Sequence, residues 1–172
     1  LRLNSAATVV EQLEALIDAI IEVTNAQKGF VILLRDGEPR VTVARNVQQQ
    51  NIVDGLKQLS DAIIRRVIDT KKPLIVSDAL HDTMFRSSES VMNLRLCSVM
   101  CAPLLAQGQL IGIIYVGNDN VVSLFEESSL DVLTVFASQG ALILQNALLR
   151  DELRSDRDAL ATRLEGKKFG DI

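Results

Sequence analysis

Along residues 5–26 apolar side chains recur every three to four positions, with Val9, Leu13, Leu16, Ile17, Ile20 and Ile21 set among Glu and Asp. That is the period of a helix with one apolar face, and Asn4 or Ser5 supplies its N-cap. The pattern then shortens. GFVILLR and RVTVARN read as strands at 29–35 and 40–46, and the Asp36-Gly37-Glu38-Pro39 punctuation between them predicts a hairpin turn. Helical spacing returns over 60–70, where Ser60 is a candidate cap and Ile63, Ile64, Val67 and Ile68 share a face that Lys71-Lys72-Pro73 ends. PLIVSD is a short third strand.

From Ala79 to Leu96 no period survives. ALHDTMFRSSESVMNLRL is polar and rich in Ser, with one short helix expected at 88–94. An irregular connection of that length inside a domain is usually a functional loop. Strands at 97–105 and 109–117 follow, joined at Ala106-Gln107-Gly108. A long helix then runs from Ser123, where Ser123 and Glu126 have capping-box spacing, to Glu165, where Gly166 is expected to stop it. The order α-ββ-α-β-loop-ββ-α, with hairpin connections, predicts an α+β fold: a central antiparallel sheet with the terminal helices layered on one face.

Composition narrows the partners. A length of 172 residues suits one domain plus an appendage, here divided as 1–150 and a charged helix and linker at 151–172. The net charge is −4 and aromatics are 3%, so neither a phosphate-binding footprint nor a base-stacking surface is present. No uninterrupted apolar run approaches the ~20 residues that span a bilayer, and Leu1–Gln12 lacks the charge-then-apolar order of a secretory signal. Cys97 and Cys101 read as free thiols of a reducing compartment, which makes the cytoplasm the expected location.

The segments PLIVSDALHDTMF, SVMCAPLLAQGQLIGIIYVGN and LFEESSLDVLTVFASQGALILQNALL together resemble a GAF domain over nearly the whole chain. The cadence is Ser98-Val99, Pro103-Leu104, Gly108 and Ile111-Gly112, then Phe125-Glu126, then a last helix through Ala141–Ala147. The resemblance implies a GAF-like sheet with the irregular segment on the face opposite the terminal helices, and a regulatory role without catalysis. The tail GKKFGDI at 166–172 is similar to the linker that enters the AAA+ ATPase of sigma-54-dependent transcriptional activators. RNA polymerase sigma factor and DNA would then be met only through domains outside this chain.

Candidate chemistries fall away in turn. Cysteines four apart on a strand lie ~13 Å apart at about 3.3 Å per residue, beyond the roughly 7 Å that a disulfide tolerates. CxxxC on a strand also lacks the turn that lets two thiolates share a zinc, and His81 is the lone histidine. No G-x-S-x-G, H-E-x-x-H or phosphate-cradling glycine run is present. Methionine sulfoxide reductases that resemble GAF domains use cysteines near their pocket, and the spacing here is wrong for a pair. Bilin-binding relatives attach through Cys followed by His, whereas Ser98 and Ala102 follow these cysteines. The Asn-Lys…Phe…Asp-Glu motif of cyclic-nucleotide relatives is only partly matched by Asn118-Asp119 and Phe125-Glu126-Glu127.

What remains is a pocket for an unidentified small ligand, with no cofactor or metal expected. The resemblance places it between the sheet and the irregular segment. Candidate ligand-binding residues are Asp78, His81, Phe85, Arg86, Ser87, Met92, Arg95 and Cys97: polar anchors on apolar walls, with the two arginines suited to a carboxylate or phosphate. In the last helix Leu142, Leu149, Leu153, Leu160 and Leu164 recur at sevens and fours in a charged background. That spacing predicts a coiled coil, and a homodimer packed through the first and last helices.

Overall fold

The apolar stripe at the N-terminus forms α1 (Ala6–Thr24), ended by Asn25 in the left-handed region at φ 63°. The computed structural model describes residues 6–82, 84–85 and 97–169; the predicted cap at Asn4 or Ser5 and the expected short helix at 88–94 lie outside them. β1 (Lys28–Arg35) and β2 (Glu38–Asn46) follow. Asp36 and Gly37 both have positive φ, 53° and 78°, the backbone of a two-residue turn whose twist matches the flanking strands. α2 (Asp61–Thr70) starts where Ser60 Oγ accepts the Ile63 N–H at 3.3 Å, and ends on Lys71 in the left-handed region.

β3 (Leu74–Val76) is only a fragment. β4 (Ser98–Ala106) and β5 (Gln109–Asn118) form the long hairpin, closed by Gln107 and Gly108 at φ 53° and 81°. The five strands pair antiparallel throughout in the order β2-β1-β5-β4-β3. α3 (Glu127–Phe169) closes the described chain.

Both faces of the sheet are covered, which is why the central strands read as continuous apolar runs rather than alternating ones. On one face α1 and α3 pack through Leu13, Ile17, Ile20, Leu133, Ala137 and Leu144 onto Val31, Met100, Leu104, Ile114 and Val116. On the other, Ile63, Ile64 and Val67 of α2 join Phe85 against Phe30, Ile32, Cys101, Ile113 and Tyr115. Gly112 lets the first layer close: a Cβ there would lie 2.6 Å from the Ile32 carbonyl oxygen and 3.1 to 3.2 Å from Leu104 and Leu144.

Three expectations change. The helix predicted from Ser123 begins at Glu127, and the capping bond runs from the Glu126 N–H to Ser129 Oγ at 3.1 Å. Ser123 is drawn away because its N–H bonds the Ser77 carbonyl at 2.7 Å, with φ 56°. Nor does Gly166 end α3, which reaches Phe169; one glycine costs a helix only about 1 kcal/mol. Finally, Glu127–Arg150 is by length and composition long and apolar enough to cross a membrane. Leu133, Ala137, Ala141 and Leu144 of that stretch are buried on the sheet, while 28% of its apolar window as a whole is buried.

Candidate functional site

Four of the eight residues singled out in the sequence lie in described chain; Arg86, Ser87, Met92 and Arg95 lie outside it. Asp78 precedes a single 3-10 turn at Ala79–His81, and its Oδ2 is 2.9 Å from His81 Nδ1. The His81 side chain is 80% exposed. Asp82 Oδ1 accepts the Met84 N–H at 2.8 Å, which turns the chain so that Phe85 enters the core. Phe85 is thus part of the wall beside Phe30, Val99 and Tyr115. Cys97 stands just before β4, tied to this turn by the Ala79 N–H on its carbonyl at 2.7 Å. Asp78, His81 and Cys97 therefore cluster at one end of the sheet, with Phe85 beneath.

The residue that organises this end entered the sequence reading only as part of the Ser98-Val99 cadence, not as a site residue. Ser98 is fully buried, and its hydroxyl sits among three chain segments. Ser98 Oγ donates to the Val121 carbonyl at 2.6 Å, accepts the Leu124 N–H at 3.1 Å, and stands 3.3 Å from the Ser77 carbonyl. That same Ser77 carbonyl takes the Ser123 N–H. One hydroxyl thus joins the start of the 78–95 segment to the loop that feeds α3. No sequence signal marks such a serine, because every partner is a backbone group remote in the chain.

A second polar group lies beside it. Lys28 Nζ is 2.8 Å from Asp119 Oδ2, with the lysine side chain 8% exposed. The Asp119 N–H is held by Gln27 Oε1 at 3.0 Å, and its carbonyl accepts from Cys97 Sγ at 3.2 Å. Asp119 Oδ1 is buried without a hydrogen-bond partner among the described residues. Deeper in the sheet, the Tyr115 hydroxyl accepts the Ser60 N–H at 3.3 Å, so the central strand also holds the start of α2.

Both thiols are shifted toward the protonated form. Burial pushes the Cys97 thiol above its ordinary range, and the Asp78 and Asp119 charges push the same way. Cys101 is wholly buried, which raises it much further. Both cysteines are free. Among the described residues no three His, Cys, Asp or Glu side chains are grouped to hold a metal. Two clefts open elsewhere. One of about 350 Å³ is lined by Asp18, Glu22, Asn25 and Asn46; the other, about 220 Å³, by Pro73, Pro103, Thr134 and Ser138.

Residues 6–145 match the model of a family described as the GAF domain. The hybrid signal transduction histidine kinase G of Dictyostelium discoideum is 29% identical over 99 residues, 58% of this chain but 3% of that protein. Three known structures share the fold. A Synechocystis GAF domain in its photoproduct state has a TM-score of 0.68 at 12% identity, over 84% of this chain and 98% of that one. The type II free methionine-R-sulfoxide reductase of Thermoplasma acidophilum has a TM-score of 0.65 at 14% identity, over 81% and 94%. A domain of a sensor histidine kinase protein of Sinorhizobium meliloti has 0.58 at 21% identity, over 88% and 99%.

Proposed function

Because this chain belongs to the GAF domain family, we propose that it is a regulatory sensing domain in which residues 78–95 receive a signal and α3 delivers it. The Ser98 junction carries this reading. A change at Ser77–His81 would reach the entrance of α3 through one buried hydroxyl and the Ser77 carbonyl. A coupling of 1–3 kcal/mol through such a junction is enough for regulation.

The ligand is a small anion-bearing molecule held by Arg86 and Arg95, with Asp78, His81, Ser87 and Cys97 as further polar contacts and Phe85 and Met92 as apolar wall. The domain's role is regulatory rather than catalytic, a reading supported by burial that pushes both thiols up, with Asp78 and Asp119 acting the same way on Cys97. It works in the cytoplasm as a homodimer packed through its first and last helices. Its output, by the likeness of the GKKFGDI tail, is an ATPase of a sigma-54-dependent activator that meets sigma factor and DNA.

Amide hydrogen exchange tests the relay. Asp78→Ala should change protection at 124–130 by roughly threefold or more in the parent chain, and not in a Ser98→Ala background. Equal changes in both backgrounds, or no change in either, overturn the proposal.

A further inference from the structure

The start of β1 and the end of β5 meet at a charged pair that belongs to neither apolar core. Lys28 alternates with Phe30 and Ile32, which face α2, so its stem lies on that side of the sheet. A Cβ at Gly117 would stand 3.8 Å from Lys28 Cε and 3.9 Å from Tyr115 Cε1, which places the stem beside the Tyr115 ring. At its tip Nζ meets Asp119 Oδ2 at 2.8 Å, with 8% of the lysine side chain exposed. Cys97, which alternates with Val99 and Cys101 of the same face, donates its thiol to the Asp119 carbonyl at 3.2 Å. The pair therefore adjoins the site residues singled out in the sequence.

The pair is only half satisfied. An ammonium has three N–H donors and an ionised carboxylate two acceptor oxygens. Among the described residues Lys28 Nζ has one partner, Asp119 Oδ2, and the buried Asp119 Oδ1 has none. Taking an ion pair out of water is offset only when its remaining hydrogen-bonding groups are met. This one calls for an acceptor beside Nζ and a donor beside Oδ1, a few ångströms apart.

We propose that Lys28 and Asp119 bind the head group of a free α-amino acid, with its carboxylate on Lys28 Nζ and its ammonium on Asp119 Oδ1. The inference rests on the sensing reading above, and it adds the ligand class and two contacts from the sheet. Charge selects this class. A plain carboxylate or phosphate would satisfy Lys28 but leave Oδ1 unmet, and it would bring a third negative charge to Asp119 and Asp78. A plain amine would set a cation against Lys28. An α-amino acid carries both groups on one carbon and is neutral overall, so both contacts are charge-assisted. The sequence gave no hint of the pair, because its members are 91 positions apart.

The test uses the whole 172-residue chain. Each common L-amino acid is titrated by calorimetry beside its des-amino acid and its carboxamide. At least one amino acid should bind saturably, and both of its analogues should bind more weakly by roughly tenfold or more, since each loses one charge-assisted bond. Lys28→Met should weaken that amino acid by a similar factor. Asp119→Asn should erase its advantage over the des-amino acid, as a coupling between those two groups requires. Circular dichroism and thermal unfolding check that both variants fold, and the analogue comparison on the parent chain decides whether or not they do. A des-amino acid that binds the parent as tightly as its amino acid overturns the proposal and leaves the sensing reading standing. So does saturable binding of acetate or inorganic phosphate when no amino acid binds. An amino acid whose binding neither variant alters overturns the assignment of Lys28 and Asp119. Binding by none of these probes overturns both readings.

Discussion

Ser98 shows how much one buried hydroxyl can decide. Replacing it by Ala leaves the Val121 carbonyl and the Leu124 N–H without their partner. An unmet buried group costs about 1–3 kcal/mol, so Ser98→Ala should lower the unfolding free energy by that amount in denaturant titration, with an unchanged dependence on denaturant. Cys101 makes a second prediction at this scale. Burial raises its folded-state pKa above the unfolded value, so the stability it contributes is fully present below the unfolded pKa near 8.5 and declines as pH rises beyond it. The burial of Tyr115 acts in the same sense at higher pH. Unfolding measured from pH 8 to 10.5 should weaken by up to about 1.4 kcal/mol per pH unit per thiol, and Cys101→Ala should flatten that slope.

Elements depend on where their ends are held. The start of α2 rests on Ser60, whose side chain caps Ile63 and whose N–H reaches Tyr115. Ser60→Gly should cost a few tenths of a kcal/mol and Ser60→Ala about 1 kcal/mol, read from thermal unfolding. The β5–α3 contact depends on the missing side chain at Gly112. Gly112→Ala forces a methyl against the Ile32 carbonyl, which cannot swing aside as a side chain would. A loss of 1–3 kcal/mol is expected, with the near-ultraviolet signal of the core altered. Two-residue turns such as Asp36-Gly37 were legible because their chemistry is local. The start of α3 was misread by four residues, because Ser123 satisfies a carbonyl of a distant segment instead of its own helix.

For the whole molecule, among the described side chains of α3 the last one buried in either core is Leu144. A chain cut after Arg150 should therefore unfold cooperatively within about 1 kcal/mol of the parent. A thermal-shift screen of small carboxylates and phosphates addresses the sensing reading: a ligand at 100 times its dissociation constant adds about 2.7 kcal/mol. Saturable stabilisation that Asp78→Ala weakens is expected. Stabilisation by none of them would favour a filled domain that serves only to dimerise, with Phe85 as its plug.

By itself the sequence determined the element order, the antiparallel hairpins, the apolar faces of all three helices and the impossibility of a Cys97–Cys101 bridge. Each depends on spacing along a few residues, where backbone geometry leaves one solution. Only the tertiary structure decided which face each strand side chain serves, because strands covered on both faces lose the alternation that would tell them apart. It also revealed Lys28 against Asp119, Tyr115 under Ser60, and Ser98 at the meeting of three segments. Those contacts join residues up to 91 positions apart, and a side chain's pairing with a group that only folding brings near leaves no trace in the local sequence.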